Sequence, residues 1–69
     1  MTDFERVKFY YTKKWATKEQ VGMYCFYKVI THAEYYLITG DTVFLKSEVA
    51  AGKLSAAEYE SITGEAYVA

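Results

Sequence analysis

Ile30-Thr-His-Ala-Glu-Tyr-Tyr-Leu-Ile-Thr-Gly-Asp41 is followed, 24 positions later, by Leu54-Ser-Ala-Ala-Glu-Tyr-Glu-Ser-Ile-Thr-Gly-Glu65. Six of the twelve aligned pairs are identical, and three more (Ile/Leu, Thr/Ser and Asp/Glu) are conservative. Recurrence at a fixed spacing marks a repeated supersecondary unit. The sequence therefore predicts that one local structure is built twice and that most of the repeated residues serve the scaffold.

The repeated stretch begins and ends with helix signals. In a capping box, a Ser or Thr hydroxyl accepts from a first-turn N–H, and a Glu or Gln three residues later accepts from the N–H of the cap. The chain has four such boxes: Thr2/Glu5, Thr17/Gln20, Thr31/Glu34 and Ser55/Glu58. Asp41 is expected to cap a fifth helix. Gly40, Gly52 and Gly64 each follow an apolar segment, where a left-handed glycine readily ends a helix.

These signals predict a single all-α domain of about five short helices: 3–14, 17–28, 31–39, 42–51 and 55–63. The first of these is an N-terminal helix. It is followed by repeat unit one (17–40), repeat unit two (41–64) and a short C-terminal tail (65–69). A strand is the alternative for 7–11 and 42–45, where β-branched and aromatic residues cluster. Helix is favoured there because capping and local propensity agree.

Alignment of the two units also predicts the core. Helices of about nine residues are not stable alone, so they must pack on one another. The paired apolar positions are Val21, Cys25, Ile30, Tyr35 and Ile38 in unit one, and Leu45, Val49, Leu54, Tyr59 and Ile62 in unit two. Lys28 aligns with Gly52 at a helix end, so Lys28→Gly is expected to stabilise the fold.

Composition narrows the function classes. The chain has 69 residues, of which 52% are hydrophobic and 19% aromatic, and its formal net charge is -1. No basic stripe is present, so no nucleic-acid partner is expected. The longest apolar stretch, 21–27, is too short to span a bilayer, and the N-terminus lacks the features of a signal peptide, so no membrane association is expected.

No residue set points to catalysis, a metal, a cofactor or a small-molecule substrate. His32 is the single histidine, and Ala56 replaces it in unit two, so it is interpreted as a solvent-facing first-turn residue. Cys25 aligns with Val49 and is interpreted as a small buried hydrophobe, with a reactive thiol as the alternative.

The two units differ in one informative way, because unit one carries large apolar side chains where unit two is polar or small. One explanation is that the N-terminal helix and Trp15 lie across unit one. The other is an exposed aromatic patch for self-association or a protein partner. The predicted patch consists of Met23, Tyr24, Tyr27, Tyr36 and Leu37.

Gly52-Lys-Leu-Ser-Ala-Ala-Glu-Tyr-Glu-Ser-Ile-Thr-Gly-Glu-Ala-Tyr67 resembles the end of the XkdX-like family, very small proteins encoded among tail genes of phages and prophages of Gram-positive bacteria. Trp15-Ala-Thr-Lys-Glu-Gln-Val21 is similar to the start of that family's first helix. This chain departs from the family in carrying the pattern twice. The resemblance implies a phage or prophage product in or near the tail or baseplate, and it brings no catalytic residues.

The expected function is therefore that of a non-enzymatic structural or assembly accessory of the tail or baseplate, acting through protein–protein contacts. The alternative is a small phage-encoded regulatory protein that binds and modulates a host protein. A lone cysteine and the lack of an export signal favour synthesis in the host cytoplasm. If the protein is a tail or baseplate accessory, it is also expected as a component of the virion tail.

Overall fold

A computed structural model describes residues 2–68. Five helices follow one another: α1 (Asp3–Thr12), α2 (Lys18–Phe26), α3 (His32–Thr39), α4 (Val43–Ala50) and α5 (Ala56–Thr63). No strand is present among residues 2–68. The predicted all-α fold is confirmed. The strand alternatives are wrong, because residues 7–11 lie within α1 and residues 42–45 lead into α4.

The capping signals fix where the helices begin, and all four predicted capping boxes form. In the box that opens α3, Thr31 Oγ1 accepts from the Glu34 N–H at 3.1 Å, and Glu34 Oε1 accepts from the Thr31 N–H at 2.9 Å. Helix α4 begins differently. The side chain of Thr42 caps nothing, and Asp41 Oδ1 accepts from the Val43 N–H at 3.2 Å. The predicted capping role of Asp41 is therefore met.

Helices α1, α2 and α4 each end in the same type of junction. After α2, the Lys28 N–H donates to the Cys25 carbonyl at 3.0 Å, and the Val29 N–H donates to the Tyr24 carbonyl at 2.9 Å. This pair of bonds is the Schellman motif, which requires one left-handed residue. The left-handed residues of the three junctions are Lys14 (φ +63°), Lys28 (φ +63°) and Gly52 (φ +78°). The alignment of the two units predicted this junction at Lys28 and Gly52, and the structure also contains it at Lys14.

Each junction also buries a pair of apolar residues, one just before the N-cap and one five positions later, in the arrangement called a hydrophobic staple. The three pairs are Ala16 with Val21, Ile30 with Tyr35, and Leu54 with Tyr59, and all six residues are buried. With Val7, Cys25 and Leu45 they make up the buried apolar core of the described chain. Ile38, Val49 and Ile62, the other predicted core positions, are half-buried against it.

The helices stack in an order that places α3 in the middle. Helix α1 packs on α2 and α3, whereas α5 packs on α3 and α4. Helices α2 and α4 also approach one another, because a Cβ added at Gly22 would lie 3.5 Å from Cε1 of Phe44. The molecule measures 32 × 20 × 18 Å.

Candidate interaction site

The predicted patch does not form one uniform surface. Tyr24 and Tyr36 are half-buried and pack against the core. Met23, Tyr27 and Leu37 are 49%, 66% and 67% exposed. Helix α1 packs on both helices of unit one, which accounts for large side chains at the core edge there. Binding of a partner by the three exposed residues stays a prediction.

Met23 instead belongs to a groove of about 570 Å³ between α2 and the start of α4. Its apolar lining includes Phe26 and Val43, which are 53% and 72% exposed. Phe44 also lines the groove, with its ring closing over Gly22. Helix positions 18, 19, 22, 23 and 26 recur at spacings of three and four, so they follow one side of α2.

A buried tyrosine joins the two units at this groove. The Tyr35 hydroxyl donates to Asp41 Oδ2 at 3.1 Å, and the Tyr35 ring centroid lies 4.7 Å from that of Phe44. Burial, reinforced by the carboxylate of Asp41, raises the pKa of Tyr35 to about 12, although the Thr39 side chain opposes the shift. Asp41 therefore has two roles, since one oxygen caps α4 and the other accepts from Tyr35.

Sequence reasoning missed the residues that complete the groove, namely Phe26, Val43 and Phe44. Alignment paired Phe26 with Ala50 as one of many differences between the units, and exposure cannot be read from that difference. One available signal was Gly22. A glycine inside a helical pattern indicates a packing reason for the missing side chain, and here that position lies against Phe44.

The interpretation of His32 as solvent-facing is wrong. His32 is half-buried, its Nε2 lies 3.1 Å from Glu48 Oε1, and its ring stacks on Phe44 at a centroid distance of 6.4 Å. Glu48 is the buried charged residue of the described chain, at 8% exposure. A carboxylate is costly to bury unless it is paired, so His32 and Glu48 depend on one another. Alignment could not reveal this pair, because unit two has Ala56 and unit one has Tyr24 at the matching positions.

Cys25 is a buried free thiol, as predicted. Burial, together with the negative charge of Glu48, raises the pKa of the thiol to about 11. The thiolate is the reactive form of cysteine. This environment therefore disfavours the reactive-thiol alternative and supports the role of Cys25 in packing.

The described residues hold neither a metal-ligand cluster nor a helix suited to a membrane. Among residues 2–68, no three His, Cys, Asp or Glu side chains lie together as metal ligands would. In the same range, every helix is too short or too polar to cross a bilayer.

Comparison with known proteins assigns the chain to a family. The family described as phage uncharacterised protein (Phage_XkdX) matches residues 4–42, more than half of the sequence. The chain belongs to this phage family. No curated protein and no solved structure matches the chain significantly.

The position of the XkdX match corrects the placement of the resemblance. The clearest likeness was assigned to residues 52–67, whereas the matched residues span α1, α2 and α3 and end just before α4. Both segments carry the same capping pattern, because 30–41 repeats as 54–65, and Lys28 replaces glycine in the first copy. The family match therefore covers α1 with unit one, and α4 and α5 form a second copy of the hairpin outside it.

Proposed function

We propose that this phage protein is a non-enzymatic structural or assembly accessory of the tail or baseplate and that it acts through protein–protein contacts. The α2–α4 groove is the observation that carries the proposal. Met23, Phe26 and Val43 expose about half or more of their surface there. Methionine and aromatic residues are enriched at protein interfaces, and a groove between two short helices suits a side chain or a short helix of a partner.

Family membership supports the phage context, and the tail or baseplate is the finer part of the proposal. Protein contact is testable in phage-producing cells by placing a photo-crosslinking amino acid at Val43. This position lies in the groove and is 72% exposed. Lys8, exposed on α1 outside the groove, is the matched control position. We expect a tail or baseplate protein to crosslink at Val43 and not at Lys8.

Particle analysis completes the test. An accessory retained in the tail is found in purified particles, and an assembly factor crosslinks to a tail protein before particles are complete. A host protein captured at Val43 would instead support the regulatory alternative and contradict the tail proposal. Equal crosslinking at Val43 and Lys8, or none at Val43, would remove the groove as a binding site.

A further inference from the structure

An aromatic corner lies at the junction between α1 and α2, consisting of Phe9, Tyr10, Lys13, Lys14 and Trp15. Trp15 is 66% exposed, and its ring meets Phe9 edge-on at a centroid distance of 5.5 Å. Lys13 Nζ lies 5.7 Å from the Phe9 ring centroid. Among residues 2–68, neither Lys13 nor Lys14 has a carboxylate within 4 Å, so both ammonium groups are open to an external partner.

The junction itself does not require a tryptophan. The residue after the left-handed position is Trp15, Val29 or Lys53 in the three copies. This residue frequently contacts the residue five positions earlier. For Trp15 that residue is Tyr10, and their ring centroids lie 6.1 Å apart. Lysine at the same place in the third junction shows that a large aromatic side chain is dispensable for the turn. Trp15 therefore exposes more apolar surface than the fold needs.

Charge is divided unevenly along the chain. Residues 1–33 carry six of the eight basic residues and three of the nine acidic ones, so residues 34–69 carry two basic and six acidic residues. In the folded protein α1 packs on α2 and α3, whereas α5 packs on α3 and α4. We call the aromatic corner with its two lysines the basic end, and α5 with residues 64–68 the acidic end.

The acidic end holds charge that nothing in the described chain compensates. Glu60 and Glu65 are exposed, and their carboxylates make neither an ion pair nor a hydrogen bond within residues 2–68. Both lie near the C-terminus of α5, where the helix dipole disfavours negative charge, and no basic residue lies in its last turn. Val68, 75% exposed, adds apolar surface beside them in sequence.

We propose that the aromatic corner of one molecule binds the acidic end of a second copy, so that the protein associates head to tail. Lys13 and Lys14 meet Glu60 and Glu65 of the next molecule, and the exposed ring of Trp15 meets apolar surface near Val68. The idea deepens the proposed function by naming one protein partner, the chain itself. Contacts of this kind close into a ring or continue as a filament.

The association is expected to be weak and salt-dependent, because the surfaces are small and the charges lie at the solvent boundary. Trp15, the single tryptophan, reports on it directly through the fluorescence shift on burial. Sedimentation and Trp15 fluorescence are measured at about 10 mM and about 1 M salt, where the Debye length is about 30 Å and about 3 Å. We expect oligomers and a blue-shifted Trp15 at low salt, with affinity falling at least about tenfold at high salt.

A charge exchange gives the decisive test. Lys13→Glu/Lys14→Glu makes both ends acidic, and Glu60→Lys/Glu65→Lys makes both ends basic. Each variant alone is expected to lose at least about tenfold in self-association. A mixture of the two should associate again, since every contact is then acidic against basic. Lys28→Glu/Lys46→Glu is the matched control, because it changes the net charge equally and also alters one left-handed lysine.

Wild-type protein that stays monomeric at low salt, or reversed variants that do not recover on mixing, would overturn the proposal. Loss of association in the control pair would assign the effect to net charge and overturn it equally. Circular dichroism of each variant checks folding. Trp15→Lys tests the aromatic side chain separately, because lysine is the residue found at the same place in the third junction, Lys53. These results are independent of crosslinking at Val43, so head-to-tail association and the proposed tail function can fail separately.

Discussion

Replacing Lys28 by glycine tests the repeat directly. Lys28 stands in the left-handed conformation at φ +63°, and the matching residue of the other unit, Gly52, has φ +78°. The Lys28 side chain makes no ion pair among the described residues. Its backbone N–H donates to Cys25 in the Schellman motif, and glycine keeps that bond. The substitution therefore changes little except the conformational preference of the backbone.

Two opposing effects set the magnitude. A non-glycine residue in the left-handed region costs about 1–2 kcal/mol, and glycine relieves that cost. Glycine also gives the unfolded chain more freedom, which costs about 0.4–1 kcal/mol. The net expectation is that the free energy of unfolding rises by about 0.5–1 kcal/mol. For a domain of this size, that corresponds to an increase in Tm of roughly 2–8 °C.

Thermal and urea unfolding followed by circular dichroism measure the change. Lys14→Gly repeats the experiment at the first junction, where φ is also +63°, and should give a gain of the same sign. Lys46→Gly is the control, because Lys46 is exposed within α4 and glycine there should destabilise by about 1 kcal/mol. If Lys28→Gly lowers Tm as Lys46→Gly does, the reasoning about the left-handed junction is refuted.

Three further predictions concern the core and its edges. Asp41→Ala removes the cap of α4 and the acceptor of a buried hydroxyl, and should cost about 1–3 kcal/mol in urea unfolding, whereas Glu65→Ala, at the matching place after α5, should stay within about 0.5 kcal/mol in dilute monomer. His32→Ala leaves the buried Glu48 carboxylate without a partner and should cost about 1–3 kcal/mol; adding Glu48→Gln should recover part of that loss, and no recovery would contradict the dependence of one on the other. Because the pKa of Cys25 is raised from 9.0 to about 11, the folded state keeps the protonated thiol, so stability should fall by up to about 2 kcal/mol as the pH rises from 9 to 11. Cys25→Val should remove the part of this fall that begins near pH 9 and leave the part above about pH 10 to Tyr35, whose pKa is raised from 10.0 to about 12. An unchanged slope would exclude the thiol as a cause.

The helix boundaries could be predicted because local chemistry specifies them. A capping box such as Thr31/Glu34 joins two residues that are three positions apart. Tyr35 and Tyr59 are buried because each forms a hydrophobic staple with the residue that precedes the N-cap of its helix. Such short-range relations are readable without coordinates. The same capping pattern occurs in both units, at 30–41 and 54–65. The resemblance based on it therefore identified the correct family, although it was clearest in the second unit and the family match covers residues 4–42.

The groove and the pair of His32 with Glu48 were not predictable in the same way. The groove depends on how α2 and α4 meet, and the pair depends on how α3 and α4 meet. Residues at matching positions of the two units differ in both places. The junction at Lys14 escaped prediction for another reason. Its left-handed residue, Lys14, is not a glycine. It also lies before repeat unit one, so it has no aligned glycine of the kind that identified Lys28.

The three repeated junctions have a consequence for how quickly the chain folds. Each closes through hydrogen bonds between residues at most six positions apart, and the two residues of each staple are five positions apart. Proteins dominated by such short sequence separations cross their folding barrier in microseconds to milliseconds. We therefore expect the domain to fold within about this time once its helices can pack on one another, because the helices are too short to be stable alone.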